Sequence, residues 1–142
     1  MTQEVVAAFI VQANKILLGH RSPTREFYPN VWDVFGGHME PGETQTQTLM
    51  RELEEELGIT PTQWRYLETL LLPSSQPDEY PPLPLHLYLI LTWDGVPENR
   101  QAHEHTAIAW FSLEEAVQLK LAHPAFPQLF AQHIPKLPFD VS

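Results

Sequence analysis

The chain contains no cysteine among its 142 residues. This absence excludes disulfide bonds, thiolate metal ligands and cysteine nucleophiles, and it is compatible with a reducing compartment. Long apolar runs are absent too: the sequence has no stretch of about 18 consecutive hydrophobic residues, and its N-terminal segment carries no basic cluster. We therefore expect a cytoplasmic protein with no membrane span and no signal peptide.

Basic residues are scarce. Lys and Arg number 8 against 18 Asp and Glu, which gives a formal net charge of −10 at pH 7. Such a chain repels a phosphate backbone, so no long nucleic acid is expected as a partner. A small phosphorylated ligand is compatible with this charge if cations, rather than lysines, neutralise its phosphates. With 43% hydrophobic residues the chain can build one core, and we predict one domain over residues 1–142 with a loosely held tail at 135–142.

Strand-like segments lie both before and after the helical ones. Strands are predicted at 5–11, 15–19, 31–35, 64–72, 85–93 and 108–111, and helices at 45–57, 113–121 and 124–134. Ser112 is the expected cap of the second helix, and a proline is expected in the first turn of the third. Amphipathic helices mixed with strands predict an α/β (α+β) fold in which a mixed sheet lies between helices.

The predicted helix at 45–57 has clear start and stop signals. Thr44 is a good N-cap, Gln47 completes a capping box, and Gly58 suits the left-handed position after the last turn. At 100° per residue its apolar side chains share one face. These side chains are Leu49, Met50, Leu53 and Leu57.

Three carboxylates lie beside that apolar face. Glu52, Glu55 and Glu56 are spaced at i, i+3 and i+4, so they repel one another unless a cation sits between them. Oxygen ligands of this kind suit Mg²⁺, with Mn²⁺ as a substitute. A solvated helix face is the usual alternative for such a cluster, but Arg51 can reach Glu55 at i+4 and so favours an ordered metal site.

Residues 37–59 have the sequence GHMEPGETQTQTLMRELEEELGI. The spacing is G-x5-E-x7-R-E-U-x-E-E-x-G-U, where U is a bulky aliphatic residue, and every specified position is matched. This stretch resembles the Nudix box, and the chain is similar to Nudix hydrolases of the MutT type. The resemblance implies an α/β/α sandwich and Mg²⁺-dependent hydrolysis of a diphosphate linkage in a nucleoside diphosphate derivative. Phe35 precedes Gly36 where many relatives have proline, which puts the stiffness of the expected glycine loop in doubt.

The resemblance also implies roles for individual residues. Glu52, Glu55 and Glu56 would bind the metal with Glu43, while Arg51 orients the carboxylates. The base that deprotonates water is either Glu55 or Glu104, which lies six positions before Trp110. Arg21 is expected on substrate phosphates, although Arg25 competes for this role, and Gly36 and Gly37 shape a loop under the metal. In the proline-rich surface loop 73–84, which is also a candidate lid or dimer contact, Tyr80 is a candidate to stack on a base.

Several substrates are compatible with the pattern. A nucleoside triphosphate, canonical or oxidised, cleaved to monophosphate and pyrophosphate is the leading expectation, and ADP-ribose or another nucleotide sugar is the alternative. A nucleotide sensor without activity is disfavoured because the box is intact. An isomerase of isoprenoid diphosphates, which shares the fold, is disfavoured because its family relies on a catalytic cysteine and this chain has none. His103 and His105 lack the cysteines or second histidine pair of a structural zinc site. Many relatives are homodimers, but no interface is visible in the sequence.

We predict that Glu56→Gln lowers kcat by about 10²- to 10⁴-fold while the fold stays intact, because loss of one metal ligand or base has an effect of this size. Steady-state turnover with Mg²⁺ measures the loss, and circular dichroism checks the fold. A folded variant with unchanged turnover and unchanged Mg²⁺ dependence contradicts the assignment of Glu56.

Overall fold

The computed structural model describes residues 3–73, 78 and 81–134. Tyr80 and the tail at 135–142 lie outside the described residues, so the expectations for them stay predictions. Half of the proline-rich loop 73–84, from 74 to 77 and at 79 and 80, lies outside them as well.

The described chain forms one mixed sheet with helices on both faces. Its strands are β1 Val5–Gln12, β2 Lys15–Arg21, β3 Trp32–Asp33, β4 Phe35–His38, β5 Thr60–Leu72, β6 Leu83–Asp94 and β7 His105–Ser112. Its helices are α1 Gln45–Leu57, α2 Leu113–Ala116 and α3 Phe126–His133. The main strand order is β3-β2-β1-β6-β5, with β4 also paired to β1 and β7 to β2. β1 and β6 run parallel and the other pairs are antiparallel. This confirms the predicted fold class.

Helix α1 has the predicted bounds. The Thr44 side chain accepts from the Gln47 amide, the Gln47 side chain accepts from the Thr44 amide, and Gly58 has φ 73°. Three of the four predicted apolar residues are fully buried against the sheet, namely Leu49, Leu53 and Leu57. Met50 is only partly buried, and Thr48 is buried in addition. Burying each leucine contributes about 1.5–3 kcal/mol, so this face fixes how the helix is rotated on the sheet.

The glycine segment differs from the expectation. Gly36 and Gly37 were predicted in a loop, but they belong to β4 and pair with Ala7 and Val6 of β1. A Cβ atom added at Gly36 would lie 2.0 Å from the Val6 carbonyl oxygen. Because glycine has no side chain, β4 can approach β1 closely and still lie beneath α1.

The second helix is shorter than predicted. Ser112 and Glu115 form the capping box that starts α2, but the helix ends at Ala116 instead of residue 121. Residues 120–122 pair with β3 instead: the Trp32 amide donates to the Lys120 carbonyl, and the Ala122 amide donates to the Trp32 carbonyl. The third helix begins at Phe126, two residues later than predicted, so Pro124 lies before it and Pro127 is the proline in its first turn.

The sheet separates two buried clusters. The cluster under α1 includes Val6, Ala8, Ile10, Leu17, Phe35 and Ile90, and the cluster under α2 and α3 includes Phe9, Ile16, Leu18, Leu87, Phe126 and Phe130. Phe9 makes edge-on ring contacts with Phe126 and Phe130. Within the described ranges, no helix has the length and apolar character to cross a membrane.

Replacing Gly36 with alanine should destabilise the fold by at least about 3 kcal/mol, because the new methyl group overlaps the Val6 backbone. Gly42→Ala is the matched control, since Gly42 also has a positive φ of 85° but nothing lies within 4 Å of its Cβ position. The control should cost only about 1–2 kcal/mol for the left-handed backbone. Urea denaturation of both variants measures the difference, and equal losses would contradict the packing argument.

Candidate active site

Glu56 is the most deeply buried carboxylate of the described chain. Its Oε1 accepts a 2.9 Å hydrogen bond from the Gly36 amide, and the residue is only 6% exposed. Burial raises the pKa of Glu56 well above its usual value, and the nearby carboxylates Glu52 and Glu104 raise it further. A cation at this position would remove both penalties.

Glu52 lies one helical turn before Glu56 and faces β4. A Cβ atom added at Gly37 would lie 2.4 Å from the Glu52 carboxyl carbon, so the glycine provides the space that this side chain uses. Burial is also the main cause that raises the pKa of Glu52, and the Arg51 guanidinium opposes it. Of the two glycines of β4, Gly36 therefore hydrogen-bonds to Glu56 and Gly37 leaves space for Glu52.

Arg51 connects the carboxylates of the site to one another. Its Nε and Nη2 donate to the two oxygens of Glu43 at 2.7 and 3.0 Å. Its Nη1 donates to Glu52 at 2.8 Å and to Glu55 at 3.2 Å, and Nη2 also donates to the His38 carbonyl. The predicted contact between Arg51 and Glu55 is confirmed. A planar guanidinium can serve several acceptors at once in this way.

Glu43, an expected metal ligand, accepts hydrogen bonds from three neighbours. Besides Arg51, the Thr48 hydroxyl and the Glu40 amide donate to its Oε1. Hydrogen bonds from Arg51 lower the pKa of Glu43 to about 2, with that from Glu40 next in importance. Its oxygens are thus hydrogen-bonded to Arg51, Thr48 and Glu40, and its expected part in a metal shell stays a prediction.

Glu55 points away from its two neighbours. Its side chain is 49% exposed and contacts Arg51, whereas Glu52 and Glu56 face the sheet. The three carboxylates expected on one arc therefore divide into two that face β4 and one that faces solvent. Glu55 is available to a water molecule or a substrate that approaches from outside.

The segment before β7 brings a fourth carboxylate to the site. One ligand atom from each of Glu56, Glu104 and His105 lies within 4.8 Å of the others. The Arg100 amide donates to the Glu56 carbonyl, and the Glu104 and His105 amides both donate to the Gln101 carbonyl. These bonds tie the segment to the end of α1 and bring together residues about 50 positions apart in the sequence.

His105 is buried next to this carboxylate pair. Its ring lies 5.3 Å from the Phe35 ring, and a Cβ atom added at Gly19 would lie 2.7 Å from its Cδ2. Burial, together with Arg25 and other nearby cations, lowers the pKa of His105 to about 4, so the imidazole is neutral at pH 7. Sequence reasoning considered His105 only as a zinc ligand beside His103. Two features of the sequence could have indicated that His105 lies at this site: it directly follows Glu104, and the aromatic residue Phe35 precedes Gly36.

The two candidate arginines lie in different settings. Arg21 donates to Asp33 at 3.1 Å and to the Phe27 and Tyr28 carbonyls at 2.8 and 2.9 Å, so its nitrogens already hold the segment between β2 and β3. The Arg25 guanidinium lies 3.7 Å from Glu104, at the rim of the site. Of the two, Arg25 is the one that contacts a carboxylate of this group.

The donor set fits a divalent cation. Glu56 and Glu104 provide neighbouring carboxylate oxygens of the kind that bind hard cations, and Glu52 lies one turn before Glu56 on α1. Burial first, and repulsion between these carboxylates in addition, raises the pKa of Glu52 and of Glu56. Arg51 supplies positive charge on only one side of this group. The buried, neutral His105 adds a donor that carries no charge.

Arg51→Lys should lower the free energy of unfolding by about 1–3 kcal/mol, because an ammonium group cannot serve Glu43, Glu52 and Glu55 together. Arg65→Lys is the matched control, since Arg65 is exposed and makes none of the ion pairs found among the described residues. The control should change stability by less than about 0.5 kcal/mol. Urea denaturation compares the two variants, and equal stabilities would show that the fork geometry of Arg51 contributes nothing.

Comparison with known proteins identifies this architecture. The family model described as NUDIX domain matches residues 1–132. The chain is 42% identical over 131 residues to a CTP pyrophosphohydrolase of Escherichia coli strain K12, covering 90% of this chain and 89% of the relative. It is 36% identical over 100 residues to an 8-oxo-dGTP diphosphatase of the same organism, covering 70% and 71%.

Solved structures agree. The solution structure of the E. coli ORF135 protein has a TM-score of 0.74 at 37% identity, covering 92% of this chain and 86% of the other. A MutT NUDIX hydrolase from Burkholderia pseudomallei has a TM-score of 0.76 at 23% identity, covering 95% and 99%, which shows the shared fold. Nudix hydrolases generally depend on divalent metals and act on small nucleotides, and the carboxylates described above are suited to such a metal. The chain belongs to the NUDIX domain family and is a Nudix hydrolase.

Proposed function

We propose that this protein is a Mg²⁺-dependent nucleoside triphosphate pyrophosphohydrolase that converts a cytidine triphosphate to the monophosphate and pyrophosphate. The observation that carries the proposal is the convergence of Glu56 and Glu104 beside an intact Arg51 network. The preference for a cytidine nucleotide is supported by the 42% identity to the CTP pyrophosphohydrolase, which extends over 90% of the chain.

Glu52, Glu56 and Glu104 are the residues that hold the metal. Glu52 and Glu56 are fixed by their contacts with β4, and Glu104 is fixed through the backbone bonds of its segment. Bound there, a divalent cation lowers the pKa of a coordinated water and offsets the charge of the phosphates. Since the chain itself has a net charge of −10, this neutralisation is required for a polyanionic substrate to bind.

Glu55 is proposed as the base, with Glu104 as the alternative. Glu55 is the carboxylate with the greatest exposure among Glu52, Glu55 and Glu56, and its contact with Arg51 orients it. It accepts a proton from water as the water oxygen attacks one phosphorus of the α–β linkage in line. The bond from that phosphorus to the bridging oxygen breaks, and the bridging oxygen leaves with the other phosphate group. Glu104 instead shares the buried cluster with Glu56, which favours metal binding.

The segment between β2 and β3 provides groups for the rest of the nucleotide. Arg25 lies next to Glu104, so we assign it, rather than Arg21, to the substrate phosphates. Phe27 and Tyr28 are 64% and 63% exposed, although both are large aromatic residues. Arg21 holds the carbonyl groups of both, which fixes this aromatic pair near the rim as a surface for stacking on a base.

A substrate panel tests the proposal. With Mg²⁺, we expect CTP and dCTP to yield pyrophosphate with kcat/KM at least about tenfold above that for 8-oxo-dGTP, other nucleoside triphosphates, ADP-ribose and nucleotide sugars, since a pocket that hydrogen-bonds one base discriminates by this much or more. Chromatography distinguishes monophosphate from diphosphate products. A preference for ADP-ribose would assign the alternative substrate class, and nucleotide binding without turnover would contradict the enzyme assignment.

Glu56→Gln gives the background rate in this panel, and Glu55→Gln separates the two candidate bases. Loss of a base lowers kcat by about 10²- to 10⁴-fold and leaves the Mg²⁺ concentration for half-maximal activity unchanged. If Glu55→Gln instead raises that concentration, Glu55 is a metal ligand and Glu104 becomes the base.

A further inference from the structure

We propose that His105 is an additional metal ligand, which supplies one imidazole nitrogen to the divalent cation held by Glu56 and Glu104. This inference rests on the proposed metal-dependent function and goes beyond the carboxylates predicted from the box. It would make the centre a mixed oxygen and nitrogen site rather than one built from oxygen alone.

The first support is that the ring nitrogens of His105, a buried residue, have no hydrogen-bond partner among the described groups. The residue is 3% exposed, and within the described parts of the chain no side-chain or backbone group hydrogen-bonds either ring nitrogen. His86, the other buried histidine, shows the usual arrangement: its Nδ1 is bonded to Thr69 and its Nε2 to Glu4. No described protein group therefore competes with a metal for the His105 ring nitrogens.

The second support is the direction of the side chain. A ring nitrogen of His105 lies within 4.8 Å of carboxylate oxygens of both Glu56 and Glu104. Opposite ligands in a six-coordinate site are about 4.2 Å apart, because each lies about 2.1 Å from the metal. Small side-chain rotations would bring these three atoms around one cation.

The third support is the irregular pairing of β7 with β2. Regular pairing extends from Ser112 to Ala107, after which the register shifts and His105 faces Arg21. In an uninterrupted strand Thr106 would share the face of Ile108, which packs in the cluster under α1. The bulge turns Thr106 outward and places His105 on that face instead, where it contacts Phe35. Bulges that redirect a side chain in this way are common beside active sites.

The packing around His105 leaves little freedom to the ring. Phe35 lies against one side, and Gly19 of β2 permits the ring to approach where a methyl group would collide with it. The Asn99 amide also donates to the His105 carbonyl at 2.8 Å and fixes the backbone. Phe35, at the position where many relatives have proline, thus helps to hold the imidazole beside the carboxylates.

A nitrogen ligand has a measurable consequence for metal preference. Imidazole is better suited to Mn²⁺ and other transition metals than to Mg²⁺, which prefers oxygen. Loss of the nitrogen ligand should therefore weaken the binding of Mn²⁺ more than the binding of Mg²⁺. We expect His105→Gln to raise the Kd for Mn²⁺ at least about tenfold and that for Mg²⁺ less than about threefold.

Pulsed electron paramagnetic resonance of bound Mn²⁺ tests the inference directly. The full-length protein, in a nitrogen-free buffer and without nucleotide, should show coupling from a directly coordinated ¹⁴N nucleus. Growth with ¹⁵N-histidine should replace this coupling by that of ¹⁵N, a result that needs no variant and so does not depend on the folding of one. His105→Gln should abolish the coupling, and His103→Asn, a substitution two residues away at an exposed histidine, should preserve it.

Two negative results have different meanings. If Mn²⁺ binds and is displaced by Mg²⁺ but no histidine nitrogen is coordinated, the His105 inference is overturned and the proposed function stands. If the wild type binds no Mn²⁺, or if Glu56→Gln binds it equally well, both the inference and the proposed metal site are overturned. A coupling that survives in His105→Gln but is lost in His103→Asn would show that His103 is the ligand, and it would also overturn the inference.

Discussion

The hydrogen bond from the Gly36 amide to the Glu56 carboxylate joins the sheet to helix α1 at the site. It requires a strand without side chains at this position, because a Cβ at Gly36 would overlap Val6 and one at Gly37 would overlap Glu52. It also requires that α1 be rotated so that its apolar face packs against the sheet and Glu52 and Glu56 face β4. Fold stability and site geometry thus depend on the same contact, which explains why the site is built on a strand rather than on a loop.

The site concentrates negative charge within an acidic protein. Arg51 offsets part of it by contacting Glu43, Glu52 and Glu55, and Glu43 in turn holds the guanidinium in place. Among the described residues no cationic side chain forms an ion pair with Glu56, and burial raises its pKa. A divalent cation bound there would offset the cost of holding this carboxylate in its charged form.

Much of the helix could be predicted because its determinants are local. The cap at Thr44, the end at Gly58 and the i+4 contact of Arg51 depend on residues within a few turns. The short α2 could not be predicted, because residues 120–122 pair with Trp32, far away in the sequence. Local propensity favours a helix there, but the hydrogen bonds that residues 120–122 form with Trp32 outweigh that propensity.

The spacing within the box was enough to predict the chemistry of the site, because it places carboxylates at one end of a capped helix with an arginine beside them. The three-dimensional structure was needed to show which carboxylates face inward, that Glu43 pairs with Arg51, and that Arg21 holds a neighbouring segment. Helical periodicity sets the angle between side chains but not what they face. The approach of Glu104 and its neighbour His105 depended on strand register and a bulge, which are set by pairing between distant segments.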